Sequence, residues 1–410
     1  MKTGILQKED SSFEVDMARN SNLTIVKGED DSIEENGKRR LPKWIMILAT
    51  VLFLFLIVVG IYYNYHATET FNSYETICST VWQNTGEYMR NGNQVIRYTG
   101  NGAEAVDGKG NLIWNITYEM KEPIVACCGN MVVIGERNGR QVLVSTGSGT
   151  VQRETMLYPV YSVAIAKQGV VAVMMNGEDR DYIHIYDKNM SLLYEIETTV
   201  AGDGFPQTMA LSEDGTKLVT SYLALAGDKL TSHVTFYNFS NVGENYIRNI
   251  VGQVQYEDTL IPRLSFLDND TICVFTENGF EMFAMREVPA SKAKVVFDEK
   301  IRSIAVGELL AFVLHNENGD EKNHIVAYDI QGNKCMDVKN SYSYEYVCVG
   351  EKEVLLHSGL SVLSLRLNGN IKFQYEFTSN IEVMFPIKKN EYFLIQQGEV
   401  HTIKLIEKKE

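Results

Sequence analysis

The sequence predicts an all-β protein, a β-propeller of eight blades with seven as the alternative, on a single N-terminal transmembrane helix. Three observations carry this. A short apolar strand recurs with a period near 40 residues. Most copies are followed by a strand, a polar Gly/Asn turn and a further strand, which makes four strands per unit. Residues 44–65 run WIMILATVLFLFLIVVGIYYNY without one charge.

The apolar run comes first in the chain. A bilayer core about 30 Å thick needs roughly 20 apolar residues in a helix. This run has 22, and it shows no polar face of the kind a water-soluble helix keeps. Lys38, Arg39, Arg40 and Lys43 precede it; Glu69, Glu75 and Glu87 follow it. The basic flank predicts a cytoplasmic N-terminus and an extracytoplasmic C-terminal part. Trp44 at one edge and Tyr62, Tyr63 and Tyr65 at the other fit an interfacial aromatic belt. A cleaved signal peptide is the lesser alternative. The run is too long for one, 43 residues precede it, and no A-x-A site follows.

Residues 1–43 read as a disordered cytoplasmic tail, because acidic clusters such as Glu29-Asp30-Asp31 and few large apolar side chains cannot offset chain entropy. Ser11, Ser12 and Ser32 are its candidate modification sites. Residues 66–408 are the expected propeller domain, and residues 66–410 carry a net charge of −14. So acidic a domain argues against nucleic-acid or anionic-lipid binding.

The recurring strand occurs at residues 94–98 (QVIRY), 131–136 (MVVIGE), 170–174 (VVAVM), 217–222 (KLVTSY), 271–276 (TICVFT), 309–314 (LLAFVL), 353–357 (EVLLH) and 392–396 (YFLIQ). Its apolar residues are consecutive, as a strand covered on both faces requires, and it is read as the inner strand of each blade. Longer spacings around residues 218 and 272 support the seven-blade alternative. The turn that follows is seen at 105–114 (AVDGKGNLIW), 183–194, 326–335 and 365–375. Asp107, Asp187 and Asp329 suit its start, where a carboxylate bonds the backbone two residues on. Gly110, Gly332 and Gly369 can take the positive φ it needs. The last copy offers three strands, so the fourth is expected from residues 74–83 (YETICSTVWQ), pairing with the C-terminal strands to close the ring. A helical stalk over residues 66–83 is the alternative.

Few residues suggest chemistry. Cys78, Cys127, Cys128, Cys273, Cys335 and Cys348 form no C-x-x-C and are expected as mostly free, buried thiols. Sequons at Asn115, Asn189, Asn238 and Asn269 are short and common. His66, His184, His233, His315, His324, His357 and His401 show no metal-ligand spacing. Gly147-Ser148-Gly149 lacks the rest of a phosphate loop and reads as a turn. No G-x-S-x-G elbow is present. Phe205, on a rim loop with Asp203, Gly204 and Pro206, is expected buried, with exposure for contact as the alternative.

The spacing of Ala105, Asp107, Gly110 and Trp114 resembles the repeat of pyrroloquinoline-quinone-type propellers, in which the Trp docks one blade on the next. Leu211-Ser-Glu-Asp214-Gly215-Thr-Lys217, followed by LVTSY, resembles WD40-like blades. Over nearly the whole chain, the order of tail, span, residues 71–75, residues 234–243 and residues 256–266 (YEDTLIPRLSF) is similar to a domain-of-unknown-function family. Its members are membrane-anchored, propeller-like proteins of anaerobic Gram-positive bacteria. The resemblance implies architecture and compartment, and it lowers the weight of the sequons.

The vicinal pair Cys127-Cys128 resembles the vicinal disulfide beside the cofactor of quinone-dependent dehydrogenases. That class would also bring Ca²⁺, an aspartate base and a Trp in most blades, whereas this domain has only Trp82 and Trp114. The pair reads first as two small residues at the start of a strand, with a redox or quinone role as the alternative. The function expected is therefore a non-enzymatic envelope module, using no cofactor or metal, that binds a protein or glycan partner. A quinone- or redox-active propeller and a sensor signalling to the tail are the alternatives.

Overall fold

The computed structural model describes residues 43–82, 86–147, 150–226, 229–317 and 320–407. The tail expected over residues 1–43, Lys43 excepted, lies outside the described residues, as do Ser148 and Gly149. The chain divides into two compact units between Asn64 and Tyr65.

Helix α1 (Lys43–Thr68) contains the apolar run. Over Lys43–Tyr62 its mean hydropathy is 3.0 and none of it is buried, so it is long and apolar enough to cross a membrane. The Thr50 hydroxyl is satisfied internally, because its Oγ1 donates to the Met46 carbonyl at 2.8 Å. The helix stops at Thr68 and Ser73–Val81 is a strand, which overturns the helical-stalk alternative.

The second unit is an eight-bladed propeller of four-stranded antiparallel sheets. Blades 1 to 7 follow chain order over residues 87–117, 123–155, 160–198, 205–257, 263–296, 300–340 and 346–376. Blade 8 is composite. Val383–Lys388, Glu391–Gln396 and Glu399–Ile406 supply three strands, and Ser73–Val81 pairs antiparallel with the last, Tyr74 opposite Leu405 and Val81 opposite Glu399. First and last segments of the ring thus share one sheet.

The recurring apolar runs lie in the second strand of each blade, which corrects their reading as innermost. Thr271–Thr276 and Glu353–His357 are buried at every position. The first strands instead touch their counterparts across neighbouring blades and line the ring's axis. They are half-exposed, as all six residues of Pro123–Cys128 show. Burial on both faces explains consecutive apolar residues in the second strands. Aromatic side chains such as Phe236, Phe275, Phe280 and Phe312 fill the joints between blades with essentially no exposure, each stabilising the fold by roughly 1.5–3 kcal/mol.

The turn joining third and fourth strands repeats its chemistry. Asp107 accepts from the Lys109 and Asn111 amides at 2.8 and 2.9 Å, and Asp329 accepts from Gln331 and Asn333 at 3.0 and 2.8 Å. Gly110 and Gly332 take φ of +80° and +88°. Burial works against the Asp329 charge, but the bonds from Asn333 and Gln331 prevail and hold its carboxyl below the usual range.

Candidate binding surfaces of the ring

One end of the axis carries a cleft of about 550 Å³ across blades 1, 2 and 3. The starts of three first strands position its lining. Glu87 comes from blade 1, Pro123 and Ile124 from blade 2, Tyr161 and Ser162 from blade 3, and the adjoining loops add Lys121, Glu122 and Arg137. Tyr98 donates to Glu87 Oε2 at 2.6 Å, and burial followed by that bond raises the phenol's pKa. Backbone bonds fix the loops: Arg137 N–H donates to the Glu122 carbonyl at 2.9 Å and Lys121 N–H to Glu136 Oε1 at 3.2 Å. The Lys121 and Arg137 side chains have no hydrogen bond or ion pair among the described residues. Two uncommitted cations beside half-buried tyrosines can bond anionic or hydroxyl-rich ligands.

A second cleft, about 770 Å³, lies at the opposite end between blades 4 and 5. Asp270 and Arg286 of its lining are engaged with each other and with the adjoining fold. Lys217 is buried, 3.1 Å from Asp270 and 3.6 Å from Asp214, and Arg286 reaches Asp270 at 3.7 Å. Asp214 also accepts from Ser212 Oγ at 2.6 Å and Thr216 Oγ1 at 2.8 Å, while its amide donates to Asn269 Oδ1 of blade 5 at 2.8 Å. Gly215 takes a φ of +68° against the side chains of Gln168 and Val170. Asp214 and Gly215 therefore hold blade 4 to its neighbours.

The other singled-out residues are placed as follows. Trp114 is buried with Val132, Ile134 and Leu143 of blade 2, so it docks blade 1 on blade 2. Asp107 and Gly110 form the turn before it. Cys127 and Cys128 occupy one first strand, where successive side chains leave opposite faces. Cys127 packs with the blade 1 and 2 cluster and Cys128 with the blade 2 and 3 cluster. Both are free thiols. Burial, then the neighbouring Cys128, pushes the Cys127 thiol up to about 12. Burial, then Glu213, raises Cys128, with Lys167 opposing. The strand geometry separates the pair that the quinone resemblance would join, and a protonated thiol is a poor nucleophile. Only Cys273 of the six cysteines is fully buried; the others are half-buried. Phe205, expected buried, is 58% exposed. His324 lies between Glu299 and Asp337, and His184 pairs with Glu195. Among the described residues, no group of three or more His, Cys, Asp and Glu could hold a metal ion.

One buried polar cluster escaped the sequence. Glu353 of blade 7 bonds Tyr392 of blade 8 at 2.7 and 2.8 Å, Lys372 at 3.1 and 3.2 Å, and Ser364. Lys372 also donates to Tyr392 Oη at 2.7 Å. Burial lowers the Lys372 pKa, against the attraction of Glu353. Beside the cluster, Phe71 N–H donates to the Lys372 carbonyl at 2.9 Å, and Arg366 donates to the Glu69 carbonyl. Arg366 occupies the slot that Asp107 and Asp329 fill in other blades, since its amide bonds the Asn370 carbonyl as theirs bond Asn111 and Asn333. Aligning R-L-N-G-N with D-x-x-G-N would have found it.

Residues 67–405 match the model of the family of unknown function DUF5711. The chain belongs to that family. A search of the curated proteins finds no match. Among solved structures, the chain is similar to BamB from Moraxella catarrhalis, with a TM-score of 0.51, 11% identity, and coverage of 81% of this chain and 100% of that one. It is also similar to dipeptidyl peptidase 4 of Porphyromonas gingivalis, with a TM-score of 0.51 and 14% identity, covering 80% of this chain and 58% of that one. A eukaryotic initiation factor matches with a TM-score of 0.51 and 12% identity, over 82% of this chain and 88% of that one. At such identities these likenesses concern the fold alone.

Proposed function

We propose that this chain is a membrane-tethered binding module of the cell envelope. In this reading residues 44–65 span the membrane, residues 1–43 are cytoplasmic, and the ring over residues 66–408 stands outside, where it holds a protein or glycan partner without chemical conversion. The basic flank before the span and the acidic residues after it support the orientation.

One observation carries the binding role. The axial cleft of blades 1–3 presents Lys121 and Arg137 uncommitted in a strongly acidic domain, next to Tyr98 and Tyr161. Lys217 and Glu353, by contrast, are committed to the fold. Rigid strands set the cleft's floor, and loops supply its charges, an arrangement suited to recognition.

Cross-linked membranes test this. Wild-type protein should bring down a reproducible partner, and Lys121→Glu with Arg137→Glu should lose it while the ring's unfolding temperature stays unchanged. Retention of that partner by the double variant, or recovery through the tail alone, would overturn the reading.

A further inference from the structure

Blade 4 differs from its neighbours in height. Its second and third strands, Lys217–Ala226 and Lys229–Asn238, have ten residues each, against five to eight in the other blades. Its first strand begins at Phe205, which lies opposite Leu223. Three residue pairs, Ala224–Thr231, Leu225–Leu230 and Ala226–Lys229, project beyond that point, a rise of about 10 Å. The hairpin of blade 5 beside it is short, turning at Glu277 and Asn278.

The projecting wall has an apolar side. Opposed residues share a sheet face, as do alternate residues along a strand. Phe205, Leu223, Leu225 and Leu230 therefore share one face, on the same side as Val219, which packs into the joint with blade 5. Leu225 is 75% exposed, Phe205 58% and Leu230 43%. Leu260, 42% exposed, continues the surface at the wall's foot, where its carbonyl accepts from Glu277 N–H. Isolated exposed leucines need no explanation, but a contiguous group on a projecting element does.

The rim is acidic. Glu257, Asp258 and Glu277 are exposed around the step, with Asp203 at its axial side. Both nearby cations are engaged, Lys229 with Asp258 at 3.9 Å and Arg263 over the Phe275 ring at 5.8 Å. Such a rim repels anionic lipid and a second copy of itself, and it attracts a basic chain.

We infer that the tall hairpin of blade 4 and the low hairpin of blade 5 form a ledge that seats an extended, basic polypeptide segment with apolar side chains, supplied by a partner protein. The apolar side chains of that segment cover Leu225, Leu230 and Phe205, and its cations meet Glu257, Asp258 and Glu277. The ledge is separate from the blade 1–3 cleft, so it stands whether or not that cleft binds.

The test uses the full chain in zwitterionic nanodiscs, with empty nanodiscs as the control. The probes are a short synthetic peptide alternating leucine with lysine and its leucine–glutamate counterpart. The leucine–lysine peptide should bind the chain and the leucine–glutamate peptide should not. Leu225→Asp and Leu230→Asp should each weaken binding by about tenfold or more, as at other buried interface anchors. No binding of the basic peptide, equal binding of the acidic one, or binding indifferent to both substitutions overturns the inference. A dimer that Leu225→Asp dissolves, or Leu225-dependent binding to anionic vesicles, overturns it in favour of a second copy or a lipid surface.

Discussion

Blade 4 and the joint of blades 7 and 8 invest their sequence in opposite ways. At the joint, charged and aromatic groups are drawn inside. Glu353, Lys372 and Tyr392 satisfy one another in the interior, and Phe71 is buried beside them. Blade 4 draws a buried cation, Lys217, into its lower half and sends apolar side chains out on a projecting hairpin. The seam between these two blades needs cohesion, because an opened ring exposes sheet faces that neighbouring blades cover. A hairpin extended past the ring needs nothing from its tip for stability, so its leucines are free for contact.

The sharpest way to break this comparison is at the seam. Glu353→Ala leaves the Lys372 ammonium buried without its carboxylate, and the expected loss is about 3–5 kcal/mol in chemical unfolding. Replacing the pair together, Glu353→Leu with Lys372→Met, should recover most of that loss, because no uncompensated charge remains. A single variant as stable as wild type would show that the cluster does not hold the seam.

Acid provides the next probe. His357 of blade 7 is buried, stacks on Tyr346 with ring centroids 5.0 Å apart, and neither ring nitrogen has a hydrogen-bond partner among the described residues. Burial lowers its pKa to about 4. The unfolded chain then takes up a proton near pH 6.5 that the folded chain accepts only near pH 4. Its contribution is fully present above pH 6.5 and declines as pH falls toward 4, by up to about 3 kcal/mol. His357→Phe keeps the stacking, so unfolding midpoints measured across this window should fall less steeply than in wild type.

A smaller effect is expected at the repeated turns. Asp329→Ala removes three hydrogen bonds to the turn, two from amides and one from the Asn333 side chain, and should lower the unfolding temperature at neutral pH. Because the folded carboxyl sits below its ordinary value, that deficit should persist above about pH 4 and fade as pH falls further. The smallest effect belongs to blade 4. Leu225→Asp should change stability by no more than about 0.5 kcal/mol. A large loss there would erase the contrast between the two regions.

The fold was largely legible because propeller chemistry is local and repeats. Consecutive apolar residues marked the second strands, and Asp107, Asp187 and Asp329 marked the turns. The shared period gave the eight-bladed ring. What escaped depends on neighbours distant in sequence. Glu353 opens a strand-like run in the ordinary way, and only the approach of Lys372 and Tyr392 reveals that it is buried. Arg366 departs from a turn pattern because Glu69, almost 300 residues earlier in the chain, returns beside it. Phe205 was expected inside on its apolarity alone, and its exposure follows from a hairpin whose height no period predicts. The vicinal cysteines suggested a pair, but strand pleating separates them.

In-cell photo-crosslinking, with a photoreactive residue placed singly at Leu225, Arg137, Ile77 or Val81, tests the account most directly. All four positions are exposed, the last two on the strand that closes the ring. The account predicts discrete protein or glycan adducts at Leu225 and Arg137 and none at Ile77 and Val81. Adducts confined to Ile77 and Val81, or equal at all four positions, would contradict it.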